Sequence, residues 1–327
     1  MQIDAMNAGG RLEDAQRYAR DVEDAGLDGL WVTEGGRTPF LQCAAAAMAT
    51  NRITIGTAVA VAFPRSPFVT ASTAWELADA SGGRFVLGLG TQVKAHVERR
   101  YGVEYAPPGP RLRDYVHAVR ACWHSFQTGE PLRYEGDFYR LTIGSLGAWT
   151  GGPIEHPDVP VYLAGVRPWM LRMIGEVADG IHVHPFHSRR YLDEVVRPNV
   201  AAGRERAGRA ADAVRFVVPV MTIVADDDAE RDRLREFARF QIAFYGSTRT
   251  YAEVFGVHGW HGLSERLHEL QRAGDTKGMA ASITDEMLDT YAIECSWDEL
   301  ADRLVDRYAG VADRLVMYSL GNMYRRD

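Results

Sequence analysis

The stretch Gly82–Gly102, GGRFVLGLGTQVKAHVERRYG, decides how this chain is read. Phe85-Val86-Leu87-Gly88-Leu89-Gly90 is a short apolar run with the pattern of a strand, opened by a glycine pair. Its last two glycines remove side chains at the point where the strand ends. Two uses of that bare backbone stand side by side: easing the packing of a sheet, or admitting a large flat molecule.

Around it, strands and helices take turns. Leu12, Ala15, Ala19, Val22 and Ala25 recur at the spacing of one buried helical face, and Gly26 stops the run. LDGLWVTE follows as a strand, PFLQCAAAAMAT as a helix opened by Pro39, and RITIGTAVAVAF as a long third strand. SPFVTASTAWELADASGG is a helix with Pro67 in its first turn. Beyond the quoted fourth strand come DVPVYLAG, DGIHVHPF, VRFVVPVMTIVAD and DRLVMYSLG, and QIDAM at the start brings the total to eight. Parallel strands need helical crossovers, and eight of them favour closure, so the expected fold is α/β, a (β/α)8 TIM barrel. Two connections are too long for simple crossovers. Residues 90–159 hold a helix over 111–126 and a hairpin in EPLRYEGDFYRL; residues 226–313 hold at least two helices. They imply one domain over 1–327, with insertions at about 128–158 and 247–295, after strands four and seven. In a barrel such insertions lie over the strand ends where sites form.

Composition narrows the function. The 37 Lys+Arg against 44 Asp+Glu give a net charge of -7, with the basic residues scattered, so neither nucleic acid nor an anionic membrane is an expected partner. Cys43, Cys122 and Cys295 are far apart and form no CxxC pair, which argues against a disulfide framework and for a reduced cytoplasm. No apolar run nears the ~18 residues of a membrane span, and the first residues do not read as a leader.

Three motifs carry candidate chemistry. In YLAGVRPWMLRMIGEVADG a strand ends at Ala164-Gly165-Val166-Arg167 and a helix starts at Pro168. Free N–H groups and a full positive charge there suit a phosphate; a tight turn with a solvated arginine is the alternative. In IHVHPFH, His182 and His184 are two apart and are expected to point together into the barrel, with Ile181 and Val183 toward the helices. Lining of a ligand pocket is favoured over a metal site, because the last strand ends without the aspartate a metal-dependent hydrolase carries; no metal is expected. HGWHG, 258–262, reads as loop chemistry, and nucleophile elbows and Walker loops are missing.

Taken together, TEGGRTPFL, IGTAVAVAFPRSP, GGRFVLGLGTQVKAHVERRYG, AGVRPWMLRMIGEVADGIHVHPF and DRLVMYS resemble the luciferase-like monooxygenase superfamily, and within it the branch of oxidoreductases that use coenzyme F420. The resemblance covers nearly the whole chain and implies a (β/α)8 barrel. It implies a non-proline cis peptide at Ala58-Val59 behind the deazaflavin ring, Gly90-Thr91-Gln92 along the ring edge or ribityl chain, and Ala164, Gly165, Val166 and Arg167 at the phosphate, with His184 nearby. Arg37, Phe63 and His96 are the expected substrate-facing residues. FMN is the alternative cofactor, and with it monooxygenation; a flavin-binding relative without turnover is another. A small-molecule substrate and a homodimer are implied.

Departures from the branch pattern bear on the chemistry. Related dehydrogenases follow the strand-two acid with a histidine base and place a glutamate after the strand-four glycine. Here the chain reads Thr33-Glu34-Gly35-Gly36-Arg37 and Gln92-Val93. Taking a hydride from an alcohol needs a base, which is not evident, so a reductase of an activated C=C or C=N bond is expected. Glu34 is the candidate catalytic acid; the other reading is that it only orients its loop or pairs with Arg37. Only NMYRRD follows Gly321, so a terminal helix after the last strand is expected to be absent or replaced, as by a partner subunit.

Overall fold

The protein is described by a computed structural model covering residues 1–143 and 151–319. Strands β1 (Gln2–Asn7), β2 (Gly29–Val32), β3 (Thr54–Thr57), β4 (Ala60–Val61) and β5 (Phe85–Gly90) come first. β6 (Tyr134–Glu135) and β7 (Arg140–Leu141) form a hairpin, and β8 (Val161–Ala164), β9 (Gly180–His182), β10 (Arg215–Val224), β11 (Ala292–Cys295) and β12 (Arg314–Ser319) complete the set. The pairings run β1–β2–β3–β5–β8–β9–β10–β12 and back to β1, all parallel. This is the closed eight-strand (β/α)8 barrel. The long third strand expected from RITIGTAVAVAF is two pieces: β4 continues the line of β3 after a break at residues 58–59 and pairs with β5.

The helices obey their local signals. Those of the first half are α1 (Leu12–Asp24), α2 (Pro39–Ala49), α3 (Pro67–Ala80), α4 (Lys94–Arg99) and α5 (Pro108–Thr128), followed by α6 (Pro168–Val177). Four of them open on proline, whose missing N–H costs nothing at a helix start. The buried stripe of α1 is Ala15, Ala19 and Val22, narrower than expected; Leu12 and Ala25, at its two ends, are exposed because the terminal turns overhang the sheet. Short helical turns and α8 (Arg197–Arg206) lie between β9 and β10.

Glycines decide what fills the barrel. A methyl group at Gly56 would collide with the indole of Trp31, and one at Gly88 with the Thr57 carbonyl and the His182 ring. One at Gly180 would come within 2.6 Å of Tyr162, and one at Gly29 within 2.6 Å of Arg314. Large inward side chains therefore sit opposite bare backbone, and the interior packs without a pore. For Gly88 this resolves the opening choice in favour of packing.

The insertions are built differently. In the first, the Asp114 carboxylate on α5 accepts the N–H groups of Phe138 (2.6 Å) and Tyr139 (3.0 Å) and the Tyr134 hydroxyl, fastening the β6–β7 hairpin to the helix. Residues 144–150 of this insertion lie outside the described residues. The second holds α9 (Asp228–Gly246), α11 (Leu263–Ala273) and shorter helices, then β11, which periodicity does not reveal. β12 pairs with residues 217–222 of β10, while β11 pairs with 221–224 and β9 with 215–217. A strand has two edges, so β9 and β11 share one and β12 holds the other. The expectation about the chain end after Gly321 lies outside the described residues. Among those residues, no helix is long and apolar enough to cross a membrane.

Gly88→Ala is expected to lower unfolding free energy by about 2–3 kcal/mol, the upper range for overpacking a core, because backbone on β3 would have to move. Urea unfolding checks this: a change under about 0.5 kcal/mol would mean the barrel interior yields there.

Candidate active site

The break in the third strand sits at the C-terminal mouth of the barrel, and its Ala58–Val59 peptide is cis. The end of β2 grips it. Thr33 Oγ1 donates to the Ala58 carbonyl (3.1 Å), and the Ala58 N–H donates to Val32 (2.8 Å). The Glu34 carboxylate accepts the Val61 N–H (2.6 Å) and both arms of the Arg65 guanidinium (2.6 and 2.9 Å). Arg65 also donates to the Val61 carbonyl (3.0 Å). From the other side, Val59 fills the space above Gly90: a Cβ there would lie 2.6 Å from Val59 Cγ2 and 3.9 Å from Ala164 Cβ. Ala58, Val59, Gly90 and Ala164 thus converge, and the bare face of Gly90 receives the bulge itself.

Glu34 pairs with Arg65, not with Arg37, which is exposed. The reason is local: Arg65 lies four residues beyond Val61, across the turn that follows β4, and the same carboxylate holds the Val61 N–H, so the guanidinium arrives with the strand. The pair is largely out of water, with Glu34 side-chain exposure of 6% and Arg65 of 22%. Every partner of Glu34 is a donor, which is the environment of a structural clamp. Sequence reasoning does not single out Arg65; its only signal is its place in FPRSP, just past the bulge.

At the end of β8, Gly165 lets the chain press against α6; a Cβ would lie 3.0 Å from both Met170 Cβ and Ile174 Cδ1. Arg167 precedes the helix and is exposed. The N–H groups of Trp169 and Met170 in the first turn have no partner among the described residues. The Val166 carbonyl accepts the Tyr191 hydroxyl (2.7 Å), which fixes the turn. After β5, Thr91 is half-buried, and Gln92 is exposed with φ of 56°, its Oε1 accepting the next N–H, that of Val93 (3.0 Å). An amide side chain that caps its own loop tolerates this left-handed backbone.

The two histidines do not act as a pair. β9 ends at His182, so strand alternation does not reach His184. His182 is inside the barrel, its ring 4.7 Å from Trp31 and 5.7 Å from Tyr162, and its Nε2 has no hydrogen-bond partner among the described residues. His184 lies at the mouth between Tyr251 (4.3 Å) and Tyr245 (4.8 Å). Its Nδ1 accepts the Phe186 N–H (3.1 Å), which leaves the hydrogen on Nε2. Burial depresses both imidazoles to about 3, so both are neutral near pH 7. The Tyr245 and Tyr318 hydroxyls are 2.6 Å apart and finish this wall. Among the described residues, no group of three or more His, Cys, Asp or Glu is arranged to hold a metal ion.

The expected substrate-facing residues separate. Phe63 is buried, with the Arg111 guanidinium of α5 4.5 Å over its ring, so it is core covered by α5 instead of an open contact. His96 is half-buried on α4, with a buried Nδ1 that has no partner among the described residues. His258 bonds Ser188 (2.7 Å) and stacks on Trp260, binding the second insertion to the barrel. Two cavities lie away from the mouth: one of about 810 Å³ between α9 and the Thr276–Ala281 helix, and one of about 630 Å³ at the base, beside Trp123 and Asp179.

The geometry defines a (β/α)8 barrel whose third strand is bulged at the C-terminal mouth. The sequence matches the model of the luciferase-like monooxygenase family over residues 2–314, and the chain belongs to that family. It is 41% identical over 306 residues to an uncharacterized protein of Mycobacterium tuberculosis strain H37Rv, covering 94% of this chain and 90% of the relative. It is 30% identical over 293 residues to the 5,10-methylenetetrahydromethanopterin reductase of Archaeoglobus fulgidus, covering 88% and 83%. Among solved structures, the coenzyme F420 dependent tetrahydromethanopterin reductase of Methanopyrus kandleri superposes with a TM-score of 0.79 at 20% identity, covering 96% of this chain and 92% of that one.

A double-mutant cycle of Glu34→Gln and Arg65→Met, read by urea unfolding, is expected to give a coupling of about 1–3 kcal/mol, as for a partly buried, two-pronged pair. Coupling under about 0.5 kcal/mol would remove the clamp.

The buried histidines predict an acid-sensitive fold. Burial lowers His182 and His184 to about 3 and His187 to about 4, below the ~6.5 of an unfolded histidine. Below about pH 6.5 the unfolded chain takes up protons that the native state refuses. The contribution is whole above that pH, is withdrawn as pH falls toward 3–4, and amounts to at most about 1.4 kcal/mol per pH unit for each histidine. NMR of the imidazole C–H groups should show no titration of these three between pH 8 and 5; a midpoint in that range would contradict it.

Proposed function

We propose that this protein is an F420-dependent oxidoreductase that moves a hydride between the deazaflavin and a small organic substrate, working as a reductase of an activated C=C or C=N bond. The bulge carries this reading. Seated over Gly90 and gripped by Thr33 and Glu34, it presents a fixed backbone surface at the barrel mouth against which a flat ring can lie. Ala58 and Val59 would back the ring, and Gly90, Thr91 and Gln92 would follow its edge. The two unpartnered N–H groups of α6, with Arg167 and the strand end at Ala164, Gly165 and Val166, fit a phosphate, because a helix start favours negative charge. His184, a neutral donor at Nε2, suits the same polar tail.

When bound, a reduced deazaflavin supplies a hydride and does not readily activate oxygen. The direction follows from the strand-two end. Oxidising an alcohol needs a base for the hydroxyl proton, yet Thr33 and Glu34 are both engaged in holding the bulge. Reduction needs only a proton donor. Glu34 accordingly acts as a positioning residue, shaping the surface under the ring.

Fluorescence titration of the purified protein with F420 and, separately, with FMN tests the cofactor. F420 is expected to bind with a dissociation constant at least tenfold lower. Equal or reversed affinities would overturn the reading and favour an FMN-dependent monooxygenase.

A further inference from the structure

A reductase must deliver a proton as well as a hydride, and the acids at the mouth can be taken in turn. Glu34 is saturated by donors. His184 is neutral, with its Nδ1 occupied, and its remaining N–H is no acid near pH 7. Tyr101 feels the Glu34 carboxylate, which, after burial, opposes formation of its phenolate.

Tyr318 is placed differently. On β12, Arg314 and Val316 face the barrel interior against Trp31, so alternation turns Tyr318 the same way, one layer higher, at the mouth. Its hydroxyl accepts the Gln241 Nε2 hydrogen at 3.5 Å and lies 2.6 Å from the Tyr245 hydroxyl, both on α9. A phenol has one hydrogen to give and can accept two. With Tyr245 as donor, α9 fills both acceptor positions, and the Tyr318 hydrogen is left to point elsewhere. The same two donors would stabilise the phenolate once the proton has gone. In that arrangement Tyr245 holds the reverse role: donating to its neighbour and deeply buried, it is the poorer acid of the two.

We infer that Tyr318 donates the proton in the reduction, with Tyr245 as its positioning residue; this rests on the reductase reading above. A hydride from the reduced deazaflavin bonds to one atom of the C=C or C=N unit, the π pair moves to the other atom, and that atom takes the Tyr318 proton. The phenolate, held by Tyr245 and Gln241, is reprotonated from solvent. The titratable groups around it are Tyr245 and, packed against Tyr245, His184; Tyr251 lies against His184 and also acts on Tyr245.

The test compares wild type, Tyr318→Phe and Tyr245→Phe with reduced F420, using cyclohex-2-en-1-one as the C=C probe and 2-methyl-1-pyrroline, a cyclic imine, as the C=N probe. Tyr318→Phe should bind oxidised F420 within about threefold of wild type by fluorescence and lose roughly 10²-fold or more in turnover. It should also lose the alkaline limb of the pH profile that ionisation of Tyr318 gives the wild type. Tyr245→Phe should keep that limb and move it to higher pH, because the phenolate loses a donor. Wild-type turnover and an unchanged limb in Tyr318→Phe, with F420 bound, would overturn the inference alone. A wild type that binds no F420, or binds it and reduces neither probe, would overturn the underlying reading and the inference with it.

Discussion

Asp4 and Arg314 stand 310 residues apart and meet inside the barrel, where Arg314 Nε and Nη2 each lie 2.7 Å from a carboxylate oxygen of Asp4. Taking such a pair out of water is costly unless its remaining hydrogen-bonding capacity is used. Here Trp31 Nε1 donates to Asp4 Oδ2 (2.7 Å) and Gln2 accepts from Arg314 (2.6 Å). One partner is on the first strand and one on the last, so the pair forms only when the ring of strands closes. Much of the interior follows from it. Gly29 must be bare to admit the pair, Trp31 must reach Asp4 and so needs Gly56, and His182 packs on Trp31 and so needs Gly88. This layer is the floor beneath the mouth.

The parts of the fold legible in the sequence were those that rest on local rules. Proline-opened helices, apolar runs and the strand count are written in neighbouring residues, and the eight-strand barrel follows from them. The misreadings come where a distant partner decides. RITIGTAVAVAF has unbroken β character, but Thr33 and Glu34 on another strand hold its break. Ala292–Cys295 is too short to stand out, and becomes a strand because β10 offers an unpaired edge. Phe63 follows a strand end as a pocket residue would, yet α5 places Arg111 upon it.

The candidate site shows the same division. Glycine-bearing strand ends point to the mouth because backbone exposure is a local property. The job of Glu34 is not local: a carboxylate at a strand end reads equally as an acid or as an anchor, and the choice falls to a guanidinium about thirty residues on. Arg65 and the Val61 N–H together hold that carboxylate against the bulge. The wall beside His184 is made of phenols and neutral imidazole, which can give or share hydrogens without carrying charge near pH 7.

The shared edge of β10 also sets the shape of the opening. At the base of the barrel β9 lies beside β10; toward the mouth β11 takes its place. At the rim β11 therefore stands where β9 stands at the base, on the side where the chain leaves β9 toward His184. The wall of the cup there is a spliced stave. Because that stave is the return leg of the second insertion, the helices carrying Tyr245 and Tyr251 are sewn into the wall at both ends, through β10 and through β11. Variation in this insertion among related chains would alter the bore of the cup as well as its lining.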